Sequence, residues 1–158
     1  MKLSRGKRLG LVFLLSILGT VVTIRNRPTR PPENLGVRDG RLSDCPASPN
    51  CVCSDARDPS HRIEPIRFDC EPGEALRRLK KAIADIPRQT IVSETENYLR
   101  VEATSLVFRF VDDVEFLIDP AERLIRVRSA SRVGYSDFGV NRKRIERIRA
   151  KYEMIKEE

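Results

Sequence analysis

YLRVEATSLVFRFVDDVEFLIDPAERLIRVRSA, residues Tyr98 to Ala130, is the stretch that decides the fold. From Tyr98 to Thr104, Leu99, Val101 and Ala103 alternate with Arg100, Glu102 and Thr104. Successive side chains of a strand point to opposite faces, so this is a half-buried strand. Val107–Ile118 is rich in Val and Phe around Asp112-Asp113, which predicts one bent strand or two. Asp119-Pro120 turns the chain. Leu124–Ala130 then alternates Leu124, Arg126 and Arg128 with Ile125, Val127 and Ser129.

Working outward, the pattern changes period. Ala75, Leu76, Leu79, Ala82, Ile83 and Ile86 recur at helical spacing. Glu71-Pro72-Gly73-Glu74 opens that helix, Lys80 and Lys81 favour its C-terminal dipole, and Pro87 stops it. Arg88–Glu94 reads as a strand. Arg62–Phe68 reads as a short one, kept to an edge by Pro65. Leu42–Ser60 is rich in Pro, Ser and Asp and reads as an irregular loop. A second helix is predicted from about Asp137 or Phe138 to Glu157, with Val140, Ile145, Ile148, Tyr152 and Ile155 on one face. The expected class is α+β, an antiparallel sheet of four to five strands with two helices on one face.

The N-terminus has another character. Leu9–Ile24, LGLVFLLSILGTVVTI, holds no charge. As a helix its 16 residues span ~24 Å, short of a ~30 Å hydrocarbon core. Arg8 and Arg25 can close the gap by snorkelling. No A-x-A-like site follows, and Val21-Val22-Thr23 is a poor substitute, so an uncleaved transmembrane anchor is read ahead of a cleaved signal. The expected organisation is a basic N-terminus at 1–8, the anchor or signal segment at 9–24, a Pro/Arg-rich linker at 25–41 and one domain at 42–158. Either reading of 9–24 exports that domain to the periplasmic or lumenal side of the membrane, or secretes it.

The formal charge of +7 sits at that end. Residues 1–30 contain seven Lys and Arg and no acid, and the remaining 128 residues contain 23 of each sign. A neutral domain argues against nucleic acid as a partner, because phosphate binding needs a basic folded face. Cys45, Cys51, Cys53 and Cys70 fall close together after an export segment, which predicts two disulfides. A Cys51–Cys53 ring is disfavoured by its size. The expected pairing is Cys45–Cys51 with Cys53–Cys70. With His61 they give C-x5-C-x-C-x7-H-x8-C, which matches no standard zinc spacing. No metal or other cofactor is expected.

Cys45-Pro46-Ala47-Ser48-Pro49-Asn50-Cys51-Val52, His61-Arg62-Ile63-Glu64-Pro65, the block Phe108–Phe116 (FRFVDDVEF) and the tail Arg128–Arg142 (RSASRVGYSDFGVNR) occur in this order. Together they resemble the family called domain of unknown function 1499, over about Leu42 to Tyr152. The resemblance implies a small, often membrane- or lumen-associated protein and brings no activity with it. Cys53 stands where that family commonly has Ser, and Cys70 looks like a matching extra, which supports the Cys53–Cys70 pairing.

The richest segment for chemistry is Arg128–Arg144. A strand end passes through Gly134 and Gly139 to a helix N-terminus, where free N–H groups and the dipole attract anions. Arg128, Arg132 and Arg142 add forked donors for a carboxylate, a phosphate or a lipid head group. Candidate binding residues are Arg109, Asp112, Asp113, Arg128, Ser129, Ser131, Arg132, Asp137, Asn141 and Arg142. The plainer alternative has Asp137 capping the helix and the arginines pairing with Asp112, Asp113 and Glu115. Asp112 and Asp113 are adjacent on a strand and so should face opposite sides, which denies them a joint acid–base role without a bulge. His61, the sole histidine, reads as a loop anchor, and Arg142–Lys151 as a solvated helix face. G-x-S-x-G, P-loop and H-E-x-x-H motifs are absent.

No catalytic residue is assigned. The sequence points to a membrane-tethered extracytoplasmic module that binds a small anionic ligand or an envelope protein. The alternatives are a small hydrolase using Asp112, Asp113 or Asp137 with Arg128 or Arg132, and a purely structural assembly protein.

Overall fold

The structure is a computed structural model, described over residues 30–156. The expected anchor segment 9–24 lies outside the described residues. Among those described, no helix is long and apolar enough to cross a membrane.

A hairpin comes first, β1 (Val37–Arg38) and β2 (Arg41–Leu42). Then come β3 (Cys51–Cys53), β4 (Ile66–Arg67) and helix α1 (Pro72–Ala84). Four strands follow, β5 (Gln89–Glu94), β6 (Tyr98–Thr104), β7 (Val111–Asp119) and β8 (Leu124–Ser131). Helix α2 (Val140–Lys156) ends the fold. The main sheet is antiparallel in the order β3-β8-β7-β6-β5, and β4 sits beyond β3 along the same edge of β8.

Period-two patterning does what it predicted. Leu99, Val101 and Ala103 of β6, Val114, Phe116 and Ile118 of β7, and Ile125 and Val127 of β8 line one face. Leu76, Leu79 and Ile83 of α1 and Ile145, Ile148 and Tyr152 of α2 pack on that face and complete the main core. Both helices therefore lie on one side of the sheet, as α+β patterning requires. Pro72 occupies the first helical turn of α1, where its missing N–H costs nothing.

Four expectations are corrected. Among the described residues the sheet has six strands, not four to five. The stretch 42–60, read as irregular, contains β3, which pairs with Arg128–Ala130 of β8. Residues 107–110 do not extend a strand. They belong to a tight tip between β6 and β7, closed by paired Ser105 and Phe110 backbones. Residues 34–41, read as the end of a spacer, fold against the outer sheet face. Asp39 and Gly40, with φ of 51° and 73°, make the two-residue turn of that hairpin.

The cysteines are also resolved by strand alternation. Cys45 and Cys51 form a disulfide with Cα atoms 5.7 Å apart. Cys53–Cys70 does not form, and both thiols are free. Val52 of β3 enters the main core, so Cys53 must point the other way, into a small cluster with Leu42, Ala56, Tyr98 and Leu117. Cys70 packs against the main core. The sheet itself separates the two sulfurs.

Candidate functional site

The helix-free face of the sheet carries alternating charges across its three central strands. Arg100 of β6, Glu115 of β7 and Arg128 of β8 lie in register, and Glu102 lies opposite Asp113 one step along. The Arg100–Glu115–Arg128 row pairs opposite charges, which support one another, whereas Glu102 and Asp113 are like charges that repel at such spacing unless a cation is shared between them. Arg128 donates from one guanidinium nitrogen to Glu115 Oε2 at 2.9 Å. The other oxygen, Glu115 Oε1, accepts from Tyr98 O–H at 2.9 Å and from the Gly36 N–H at 2.7 Å. Arg132 grips Asp113 with two nitrogens, at 2.7 and 2.8 Å, and also reaches Glu102. Arg100 adds a bond to Asp113 at 3.1 Å.

This block is buried: Glu115 is 0% exposed, Asp113 1% and Arg128 2%. Three arginines balance three carboxylates, as removal from water demands. Asp113, then Glu102, hold the Arg132 guanidinium well above its ordinary range. Burial, reinforced by Glu115, raises the Tyr98 hydroxyl above its usual value.

A second cluster lies on the helix side. Asp112 takes Arg144 of α2. Asn141, fully buried, accepts from Ser129 Oγ at 2.6 Å and donates to Ser131 Oγ at 3.0 Å and to the Asn50 carbonyl at 2.9 Å. Asp137 accepts from the Gly139 and Asn141 N–H groups at 2.9 and 2.8 Å and so closes the first turn of α2. Asn50 in turn donates its side-chain N–H to the Gly134 carbonyl at 2.6 Å. The disulfide loop is thereby tied to the β8–α2 loop.

The ten sequence candidates thus divide. Asp113, Arg128 and Arg132 share the outer face. Asp112, Ser129, Ser131, Asp137 and Asn141 share the helix side. Arg109 stands exposed at the β6–β7 tip with φ of 58°, and Arg142 donates to the Ser60 carbonyl at 3.4 Å. Arg128, Arg132 and Arg142 are not brought together at the α2 N-terminus. The sheet lies between them, because residues 128 and 132 share a strand parity that points away from the helices. Asp112 and Asp113 do face opposite sides. His61 is buried and bonds through Nδ1 to the Cys51 carbonyl at 2.9 Å, anchoring the disulfide loop.

Sequence reasoning missed Asn50, Tyr98, Arg100, Glu102 and Arg144 as members of these clusters. Arg144 was grouped with a solvated helix face, as was Arg149. Instead Arg144 binds Asp112, and Arg149 binds the Pro65 carbonyl at 2.7 Å. Register would have found Arg100, which stands opposite Glu115 once β6 and β7 are paired; it would not have found Glu102, which stands opposite Asp113, a charge of its own sign.

One cavity of about 280 Å³ opens over the outer block, walled by Pro32, Asn34, Pro46 and Asn50 and floored by Arg128 and Arg132. Arg128 Nε is buried and finds no acceptor among the described residues. A family model described as "Protein of unknown function (DUF1499)" matches residues 41–152. The chain belongs to the DUF1499 family. Among curated proteins and among solved structures, nothing matches. The DUF1499 region holds β2 to β8, α1 and most of α2, and with them both charge clusters. The hairpin strand β1 and the Gly36 N–H that caps Glu115 come from residues ahead of it. Chemically, the paired carboxylates of this family member can neutralise arginine and accept hydrogen bonds.

Proposed function

We propose that this protein is a non-enzymatic interaction module, tethered to a membrane by residues 9–24 with its domain on the extracytoplasmic side. The observation that carries the reading is the pairing of the candidate charges. Asp112, Asp113 and Glu115 are each engaged by arginine, on two faces of one sheet. A hydrolase needs two groups in one cleft with a free proton or lone pair. Here the same groups hold strands and helix together. The Cys45–Cys51 disulfide supports the compartment, because such bonds persist where the surroundings are oxidising. The uncharged run Leu9–Ile24 supports the tether.

One observation favours a second reading, a small anionic ligand in the cavity above Arg128. The unpaired Arg128 Nε is a charged donor without an acceptor, and an oxygen of such a ligand would satisfy it. Native mass spectrometry of the full chain, purified from its membrane without reductant, tests both. One disulfide, a mass lower by about two hydrogens than the reduced chain, and no small adduct is the expected result. A retained small molecule, lost in Arg128→Leu, replaces the interaction reading with the ligand reading. Four free thiols remove the extracytoplasmic assignment.

A further inference from the structure

The end of the sheet where β6 meets β7 and β8 leaves for α2 carries an unusual set of exposed side chains. At the β6–β7 tip Leu106 is 69% exposed, Val107 74% and Phe108 58%. In the neighbouring β8–α2 loop Tyr135 is 76% exposed and Phe138 89%, with Val133 and Val140 also at the surface. The two loops are adjacent because the Arg132 N–H donates to the Val111 carbonyl, so one loop begins beside the place where the other ends. Apolar groups gathered in this way mark an interaction surface, unlike scattered single residues. The tip is also preorganised. Phe108 and Phe110 stack with ring centroids 5.5 Å apart, and Ser105 closes the turn by bonding to the Phe110 N–H at 2.9 Å.

The course of the chain indicates what covers this surface. Gly36 lies over Glu115, and residues ahead of it run toward the exposed loops, since Pro32 and Asn34 wall the cavity with Ser131 and Arg132. The described chain therefore begins at the apolar end of the domain. From Ile24, the last residue of the uncharged segment, to Pro32 is eight residues. Fully extended, these reach at most ~29 Å. A domain tethered there has its apolar end close to the bilayer. The rim carries the matching charge. Arg30, Arg88, Arg109 and Lys143 are exposed around this end, Arg88 being placed by its carbonyl's bond to the Thr104 N–H. Of the carboxylates nearby, Asp112 is taken by Arg144 and Asp137 by backbone N–H groups, while Glu33 is exposed.

We infer that the loops 106–110 and 133–140 insert into the lipid bilayer, with Phe108 and Phe138 at their leading points and the arginines on anionic head groups. The partner of this face is the membrane surface itself. The inference rests on the tether reading above. Apolar side chains flanked by cations sit ~5–10 Å into the boundary between head groups and acyl chains.

The chain contains no Trp, so one introduced indole reports a single position. Phe108→Trp, Phe138→Trp and Met154→Trp are made separately in the full chain. Met154 is exposed near the far end of α2 and serves as the control. Each variant is reconstituted into phosphatidylcholine vesicles containing a minority of phosphatidylglycerol, with and without bromine on the acyl chains. Insertion predicts about two-fold or greater quenching at positions 108 and 138 and none at 154. A second chain carrying Phe108→Asp with Phe138→Trp should lose most of that quenching. Vesicle-bound protein with no quenching at either loop overturns loop insertion and leaves the tether standing. A blue-shifted but unquenched indole, with a dimer in detergent, overturns it in favour of a second copy of this chain. Failure to float with the vesicles overturns both readings.

Discussion

Burial pushes the Cys53 thiol up to about 11, so almost none of it is thiolate at ordinary pH. Only the thiolate reacts with alkylating agents. In the native, unreduced protein at pH 8, Cys70, which is half-buried, should take up iodoacetamide well before Cys53. Denaturant should equalise the two, and mapping by mass spectrometry checks it. A second residue-scale test concerns Arg128. In Arg128→Ala, Glu115 keeps Tyr98 and Gly36 as donors but loses its counter-charge inside the protein. The expected cost is about 3–5 kcal/mol, read from urea unfolding, since breaking one side of a buried pair strands the other. At this scale the sequence was legible in part. Alternation alone separated Asp112 from Asp113. It did not say which arginine each would meet, because Arg144 reaches Asp112 only through the packing of α2 on the sheet.

Among the elements, α1 carries its own pH dependence. Glu74 is bound by Arg77 and Arg78, each at 2.7 Å, and these bonds lower its carboxyl from 4.5 to about 2. A depressed carboxylate pKa stabilises the folded state above the unfolded value, and that contribution fades as pH falls through the folded value. The urea midpoint should therefore drop between about pH 4.5 and pH 2, and Glu74→Gln should remove part of that slope. The pair is solvent-facing, so added salt should shrink the effect. Element positions came through well where periodicity was long, as in α1 and β6. Short elements were lost. Asp39-Gly40 is the strongest two-residue hairpin signal in the chain, yet it lay inside a stretch whose prolines and arginines read as a spacer. Cys51-Val52-Cys53 is too short for alternation to register, and only pairing with β8 makes it a strand.

For the whole molecule, class and layering were legible, because both helices and the central strands announce a single apolar face each. The use of the second sheet face was not. An outer face bearing arginines and carboxylates reads as solvated, and here it is roofed by residues 34–46. The disulfide belongs to that roof. Reducing Cys45–Cys51 should cost about 2 kcal/mol, as expected for so short a closed loop, and leave the helical circular dichroism unchanged. The roof is also the first part of the described fold to be made. Gly36 is 79 residues ahead of Glu115, and Asn50 is 91 ahead of Asn141. As the chain emerges from its N-terminus, these residues must wait for β7, β8 and α2 before they find their partners. Closing the Cys45–Cys51 ring needs nothing downstream. Oxidation can therefore run ahead of folding, while the final closure of the domain waits for the last third of the chain.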